Sequence, residues 1–182
     1  MSKDFCAAGF RLGVLHSRNQ GLITAVSTIS VLGWVPYLVQ DIWADMLTDD
    51  AFRVNFMEKN RRLLKEHSAV LMAFLREHDI PYYTKANAGV FAWVNLQRYL
   101  YNKPSSPIPT LPHSDDGFYR DREMKLWNRL LAAGVGLGLG TWYSSEEPGW
   151  FRISFAVEIK ALQIGLERLA TTLREIEAEG WN

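Results

Sequence analysis

A lysine and an arginine lie close together at the start of the chain, where Lys3 precedes Arg11 by eight residues in SKDFCAAGFRLG. A lysine that forms a Schiff base needs a lowered pKa, which burial and a cationic neighbour supply. An arginine is a natural bidentate partner of a phosphate. From the spacing alone, an ordinary surface lysine and an arginine at the end of a strand are the simpler interpretation.

A second arginine, Arg152, stands inside the aromatic and otherwise apolar stretch EPGWFRISF. A guanidinium in such a strand costs free energy unless it is paired. Two partners are open at this point: an acid elsewhere in the chain, or the carboxylate of a substrate. The internal acid is slightly favoured when nothing else is known.

Other polar motifs indicate no further chemistry. The alternating glycines of GVGLGLGT, residues 134–141, lack the G-x-G-x-x-G spacing of a dinucleotide-binding loop, and no strand is evident before them. The four histidines show no ligand spacing with Cys6 or with paired carboxylates, so no metal site is predicted. Cys6, the single cysteine, cannot form an internal disulfide, which favours a reducing compartment.

The elements that would position these residues follow from periodicity and turn signals. Pro36 should interrupt a helical stretch over 21–47, because proline lacks an N–H and clashes with the preceding turn. The other expected elements are a strand at Phe10–Leu15, a long helix from 48–50 to about 78, β-structure with one strand or two over 82–96, a proline-rich loop at 102–116, a helix at 117–133, a strand at 150–156 and a helix at 158–179.

Composition places the chain among mixed α/β or α+β globular proteins. Of its 182 residues 48% are hydrophobic and 22% charged, and 20 basic residues balance 20 acidic ones. That balance gives no reason to expect nucleic acid as a partner. Apolar runs stay below the roughly 18–20 residues that span a bilayer, and the start is unlike a signal peptide. We therefore expect no membrane association and a cytoplasmic location.

Three segments in order, SKDFCAAGFRLG, KANAGVFAWVNL and EPGWFRISFA, resemble 1-aminocyclopropane-1-carboxylate (ACC) synthase-like proteins of the class I/II aminotransferases. The resemblance extends over essentially the whole chain. It implies the α/β fold of a pyridoxal-phosphate (PLP)-dependent transferase of fold type I, in its C-terminal portion. Residues 1–45 would be the end of the large PLP-binding domain, and residues 46–182 the small C-terminal α+β domain.

The resemblance also implies roles at matched positions. Lys3 would be the Schiff-base lysine and then the general base at the substrate's α-carbon. Arg11 would bind the phosphate of PLP, and Ser2 is assigned to cofactor binding beside Lys3. Arg152 would hold the α-carboxylate of an amino acid substrate. Phe91 is the substrate-side candidate from the small domain, although core packing is its simpler role. Members of this family are homodimers.

The chain also departs from the family pattern. Met1 stands two positions before Lys3, so the cofactor-binding residues that the family places upstream are missing, and Cys6-Ala7-Ala8 replaces the usual Gly-Leu-Pro. The expected function is a PLP-dependent enzyme acting on an α-amino acid, here truncated and inactive in isolation. The alternative is an inactive remnant, or an incomplete gene product, that at most associates with full-length subunits. Transamination, γ-elimination and β-elimination stay open.

Overall fold

The computed structural model describes residues 2–101 and 116–180. By contacts along the backbone the chain divides into two compact units, Met1–Arg62 and Leu63–Asn182, called the first and the second unit below. The helices and strands are α1 (Gln20–Ser30), α2 (Tyr37–Thr48), α3 (Asp50–Glu77), β1 (Phe91–Asn95), α4 (Asp116–Ala132), β2 (Gly138–Leu139), β3 (Trp150–Ser154) and α5 (Ile159–Glu179).

Helix boundaries in the first unit follow the local chemistry of the sequence. The side chain of Asn19 accepts a hydrogen bond from the backbone N–H of Leu22 at 3.2 Å and so caps α1. Pro36 directly precedes α2, where a missing N–H costs nothing, and the predicted interruption is confirmed. The long helix α3 follows Asp49, whose carboxylate accepts from the N–H of Phe52 at 2.8 Å. Polar caps thus define where α1 and α3 begin, and a proline defines where α2 begins.

The predicted strand at Phe10–Leu15 is wrong. A 3-10 turn covers Ala8–Phe10, and residues 11–17 have no regular secondary structure. A strand needs the backbone of a neighbour to hydrogen-bond its N–H and C=O groups, and none of the described residues pairs with this stretch. The β-type sequence is therefore left without a strand partner, with Val14 75% exposed.

The first unit has a small aromatic core and a large exposed apolar surface. Phe5 packs edge-on to the buried Trp43 at 5.2 Å and stacks on Phe56 at 5.4 Å between ring centroids. No single helix of the described chain is long and apolar enough to span a bilayer; only 20–33 and 37–48 together, bent by 120°, reach that length and composition. The exposed apolar side chains of the first unit include Val14, Leu15, Ile29, Val31, Leu32, Trp34, Tyr37 and Leu38.

The second unit is built on a three-stranded antiparallel sheet in the order β1-β3-β2. Alternate residues of β1 and β3 point into the core, so that Val94 and Phe151 are completely buried. The residues between them, among them Trp93 and Arg152, form the opposite surface, called the outer face below. The core face packs on one side of α5, whose buried residues are Leu162, Leu166, Leu169, Ala170, Thr172, Leu173 and Ile176.

Most expected elements of the second unit are confirmed. The β-rich stretch forms one strand, β1, with an isolated bridge from Tyr82 to Val94. The helices predicted at 117–133 and 158–179 and the strand at 150–156 occur within a few residues of their predicted ends. The two-residue strand β2 was not expected, because it lies in the glycine-rich stretch. The predicted loop at 102–116 falls almost entirely outside the described residues.

Candidate functional site

Arg152 lies at the centre of the outer face, on the middle strand β3, with an aromatic ring from each flanking segment. Its guanidinium carbon is 4.0 Å from the ring centroid of Phe91 at the start of β1. The same atom is 4.2 Å from the ring centroid of Tyr143, which follows β2. Both distances fall within the range of cation–π interactions. The guanidinium of Arg152 is thus in contact with two aromatic rings.

Within the described part of the chain, no hydrogen bond or ion pair reaches the guanidinium of Arg152. The internal acid that the sequence left open as its partner is therefore not found there. Arg152 is half-buried, so its N–H groups retain access to solvent or to a ligand. A planar fork of donors without an acceptor is suited to bind a carboxylate.

The register of the sheet explains why the aromatic residues gather around this arginine. Trp93 is directly opposite Arg152 in the antiparallel pair of β1 and β3. Its indole stacks on that of Trp150 with centroids 6.1 Å apart, and meets the ring of Tyr143 edge-on at 6.0 Å. Phe91 is 38% exposed, so it belongs to the outer face and not to the core that the sequence favoured for it.

A buried carboxylate fixes the segment that carries Tyr143, residues 140–149, called the 140–149 loop below. Glu123 of α4 is 1% exposed. One of its oxygens accepts from the hydroxyl of Thr141 at 2.5 Å, and the other from the backbone N–H of Gly149 at 3.1 Å. Arg120 lies 3.9 Å from the same carboxylate and donates to the carbonyl of Ser145 at 2.9 Å. Both ends of the loop are therefore tied to α4.

Gly149 offers the first test of this attachment of the 140–149 loop to Glu123 of α4, called the anchor below. Its φ of +89° is strained for other residues, and a Cβ there would lie 2.7 Å from the backbone Cα of Gln97. We expect Gly149→Ala to lower the free energy of unfolding by about 1–3 kcal/mol, measured by urea denaturation followed by circular dichroism. Gly136→Ala is the control, since its Cβ would meet nothing within 4 Å. Equal stability of the two variants would contradict a close fit at Gly149.

The three candidates of the first unit lie in its opening turns. Lys3 is exposed and Ser2 half-buried in the turn over residues 2–5. Arg11 is exposed, has a φ of +53°, and donates one guanidinium N–H to the carbonyl of Ala8 at 3.1 Å. That bond leaves other donors of the fork to bind an anion. The roles of these three residues in cofactor binding stay predictions.

Three residues of the site were missed in the sequence: Tyr143, Glu123 and Gly138. Gly138 lies within the glycine-rich stretch 134–141 and Tyr143 just after it, where the sequence indicates no chemistry. Glu123 has the pattern of a solvated acid on an amphipathic helix. The one signal for Gly138 and Tyr143 is that they precede GWFR, the segment with Arg152, in the sequence. Among the described residues, no group of three His, Cys, Asp or Glu side chains could hold a metal ion.

Among curated proteins, the chain is similar to ACC synthases and ACC synthase-like proteins. The chain is 32% identical to 1-aminocyclopropane-1-carboxylate synthase 3 of Oryza sativa over 181 residues, which is 98% of this chain and 37% of that protein. It is 33% identical to the human 1-aminocyclopropane-1-carboxylate synthase-like protein 1 over 173 residues, 94% of this chain and 31% of the relative. The chain thus spans roughly a third of the length of the relatives it matches.

Solved structures share the fold. The aromatic aminotransferase of Pyrococcus horikoshii superposes with a TM-score of 0.73 at 19% identity, covering 96% of this chain and 41% of that one. LysN, the α-aminoadipate aminotransferase of Thermus thermophilus solved with N-(5′-phosphopyridoxyl)-L-leucine, gives 0.64 at 18% identity, covering 89% and 37%. The predicted fold, that of fold type I transferases, is confirmed. Because the model of aminotransferase class I and II also matches residues 1–169, the chain belongs to that family.

Proposed function

We propose that this chain carries the carboxylate-binding and cofactor-attaching residues of a PLP-dependent enzyme that acts on an α-amino acid, similar to ACC synthases. The observation that carries the proposal is the guanidinium of Arg152, which lies between two aromatic rings and has no acid partner among the described residues. Membership of the aminotransferase family and the names of the relatives support it. The amino acid's α-carboxylate is the natural ligand of such an arginine.

The residues present in the opening turns suit the two ends of PLP. Lys3 offers an exposed primary amine for the aldehyde, and Arg11 an exposed guanidinium with donors left for the phosphate. Ser2 adds a hydroxyl next to Lys3 in the sequence. When bound, PLP supplies an electron sink for negative charge that develops at the substrate's α-carbon. The chemistry of this donor set therefore fits the cofactor, while the burial that a Schiff-base lysine needs is not provided by the described turn, where Lys3 is exposed.

The protein's own part in the reaction is to orient the substrate and to move one proton. Two parallel hydrogen bonds from Arg152 would fix the plane of the α-carboxylate and, with it, the position of the α-carbon. Lys3, once its amine is released by exchange with the substrate, would take that proton on its Nζ. Transamination and the two eliminations share this proton transfer, so the proposal extends to the amino acid class and not to one product.

The test is a PLP titration of the chain with borohydride reduction and peptide mass spectrometry. A saturable visible absorbance band and a reduced adduct on Lys3 are expected, and Lys3→Ala should lose both completely. Lys85→Ala is the control, since this lysine is exposed and outside the opening turns. An adduct spread equally over several lysines, or one that persists in Lys3→Ala, would overturn the assignment of Lys3.

A second candidate function is a non-catalytic chain that associates with longer members of the family as a subunit. The apolar surface of the first unit favours it, because thirteen large apolar side chains of the described part of this unit are exposed and could pack against another chain. Co-expression with a full-length relative and size-exclusion chromatography test this candidate. It is supported if the two chains co-elute while the titration gives no Lys3 adduct, and rejected if they elute separately.

A further inference from the structure

We propose that Tyr143 is a positioning residue of the carboxylate site, which together with Phe91 holds the guanidinium of Arg152 in one plane and leaves only its edge for the ligand. The proposal rests on the role of Arg152 as the carboxylate-binding residue. It adds a residue that the sequence did not single out and a reason for a glycine, Gly138, on the neighbouring strand.

The two rings reach the guanidinium from the two flanking strands. Phe91 lies on β1, and Tyr143 is in the turn that follows β2, while Arg152 is on β3 between these strands. Ring centroids at 4.0 and 4.2 Å from the guanidinium carbon are contact distances for stacked groups. In the proposed arrangement the two rings lie against the flat faces of the guanidinium and leave the N–H groups, which lie in its plane, as its accessible part.

A fixed plane matters because a carboxylate binds an arginine edge to edge. The two parallel N–H···O bonds require both groups to be nearly coplanar. A long arginine side chain that moves among rotamers must lose that freedom when a ligand binds, and the loss lowers affinity. Tyr143 and Phe91 restrict the guanidinium before the ligand arrives. A carboxylate should therefore be preferred over a neutral amide of the same size, and its orientation should be set.

Gly138 makes the position of Tyr143 possible. It is paired with Arg152 across β2 and β3, so its side-chain direction is also the outer face. A Cβ at this position would lie 2.9 Å from the hydroxyl oxygen of Tyr143 and 3.0 Å from its Cε2. The backbone of Gly138 does not have a positive φ, so alanine is tolerated there apart from this contact. Gly138→Ala should therefore act by displacing the ring of Tyr143.

The experiment follows the Nε–H resonance of Arg152 in the 182-residue chain by ¹⁵N nuclear magnetic resonance, with assignment from Arg152→Lys. The probe is 3-phenylpropanoate, and 3-phenylpropanamide is the uncharged control. In the unsubstituted chain we expect a resonance shifted by ring currents, and a further saturable shift with the carboxylate but not with the amide. Amide spectra of residues outside the 140–149 loop report on folding in every variant.

Tyr143→Leu keeps apolar bulk without a π face, and Tyr143→Phe keeps the ring without the hydroxyl. We expect Tyr143→Leu to remove most of the part of the Arg152 Nε–H shift that the Tyr143 ring causes, and to weaken carboxylate binding about tenfold. Tyr143→Phe should keep the affinity for the carboxylate within about twofold of the unsubstituted chain. Rescue by phenylalanine separates holding the arginine from mere space filling. Trp142→Leu, an exposed neighbour in the same turn whose ring packs on Trp127, should leave binding unchanged.

A double-mutant cycle tests the role of Gly138. Gly138→Ala alone should weaken binding by about as much as Tyr143→Leu, and adding it to Tyr143→Leu should have little further effect, because the displaced ring is already gone. Additive losses would reject the coupling. If the unsubstituted chain binds the carboxylate and Tyr143→Leu binds it equally well, the inference about Tyr143 fails while the function of Arg152 stands. If the unsubstituted chain does not distinguish carboxylate from amide, the carboxylate role of Arg152 itself fails.

Discussion

Replacing Glu123 by alanine is expected to lower the free energy of unfolding by about 3–5 kcal/mol, a large part of the stability of a domain of this size. The substitution removes the acceptor of the Thr141 hydroxyl and of the Gly149 N–H, both at the ends of the 140–149 loop. The buried N–H of Gly149, left without an acceptor, costs roughly 1–3 kcal/mol, whereas the exposed Thr141 can bond to water instead. The carboxylate is also the charged group 3.9 Å from Arg120.

The measurement is urea denaturation followed by circular dichroism, with Glu123→Gln and Glu167→Ala alongside. Glutamine keeps one acceptor oxygen but presents an NH₂ group where the second acceptor is needed, so we expect about half the loss seen with alanine. Glu167 is exposed on α5, and its replacement should change stability by no more than about 0.5 kcal/mol. A loss for Glu123→Ala no greater than for Glu167→Ala would show that the buried carboxylate is not an anchor.

The anchor also connects stability with the candidate site. Gly149 immediately precedes β3, and Arg152 is three residues further along. A hydrogen bond from Gly149 to α4 therefore fixes where β3 starts, while the bond to Thr141 fixes the turn that carries Tyr143. The start of β3, which carries Arg152, and the turn that carries Tyr143 therefore both depend on Glu123. Glu123→Ala should thus weaken carboxylate binding even at urea concentrations where the chain is still folded.

Much of the fold could be predicted from local signals in the sequence. Caps and proline set helix ends through nearby atoms, as at Asn19, Pro36 and Asp49, so they can be recognised without knowing the rest of the fold. The apolar stripe of α5 is repeated over five turns and is confirmed by its buried leucines. The aromatic strand β3 with Arg152 could also be located from a local signal. The alternation of buried and outward-facing side chains along β3 can be recognised in the sequence of that strand alone.

Features that depend on distant partners could not be predicted in this way. The stretch Phe10–Leu15 has the composition of a strand, but no described strand forms backbone hydrogen bonds with it. The composition of a stretch does not show whether such a neighbouring strand is present. Glu123 is a buried acid because Thr141 and Gly149 reach it from another part of the chain. Tyr143 meets Arg152 only through the turn that follows β2. In each case the deciding atoms are separated in sequence.

The largest effect on ligand binding is expected from Arg152→Lys, which should lower the affinity for 3-phenylpropanoate by about 100-fold. A lysine keeps the charge but loses the planar fork, so one of the two charge-assisted hydrogen bonds and the stacking on Phe91 and Tyr143 are lost together. A hydrogen bond to a charged group contributes about 1.5–3 kcal/mol, and about 2.7 kcal/mol corresponds to 100-fold. Binding would be measured by isothermal titration calorimetry at fixed ionic strength.

Arg129→Lys is the matched control, because this arginine pairs with Glu179 at 2.8 Å on the surface of the second unit and makes no cation–π contact with the described aromatic residues. It should leave affinity unchanged and stability within about 0.5 kcal/mol. If Arg152→Lys retained affinity within about threefold, charge alone would explain binding and the fork geometry would be irrelevant. If both variants lost affinity equally, the loss would reflect a general effect of exchanging arginine for lysine rather than this site. Loss confined to Arg152→Lys would instead tie recognition to a planar guanidinium fixed between two rings, whose two parallel donors match the two oxygens of a carboxylate.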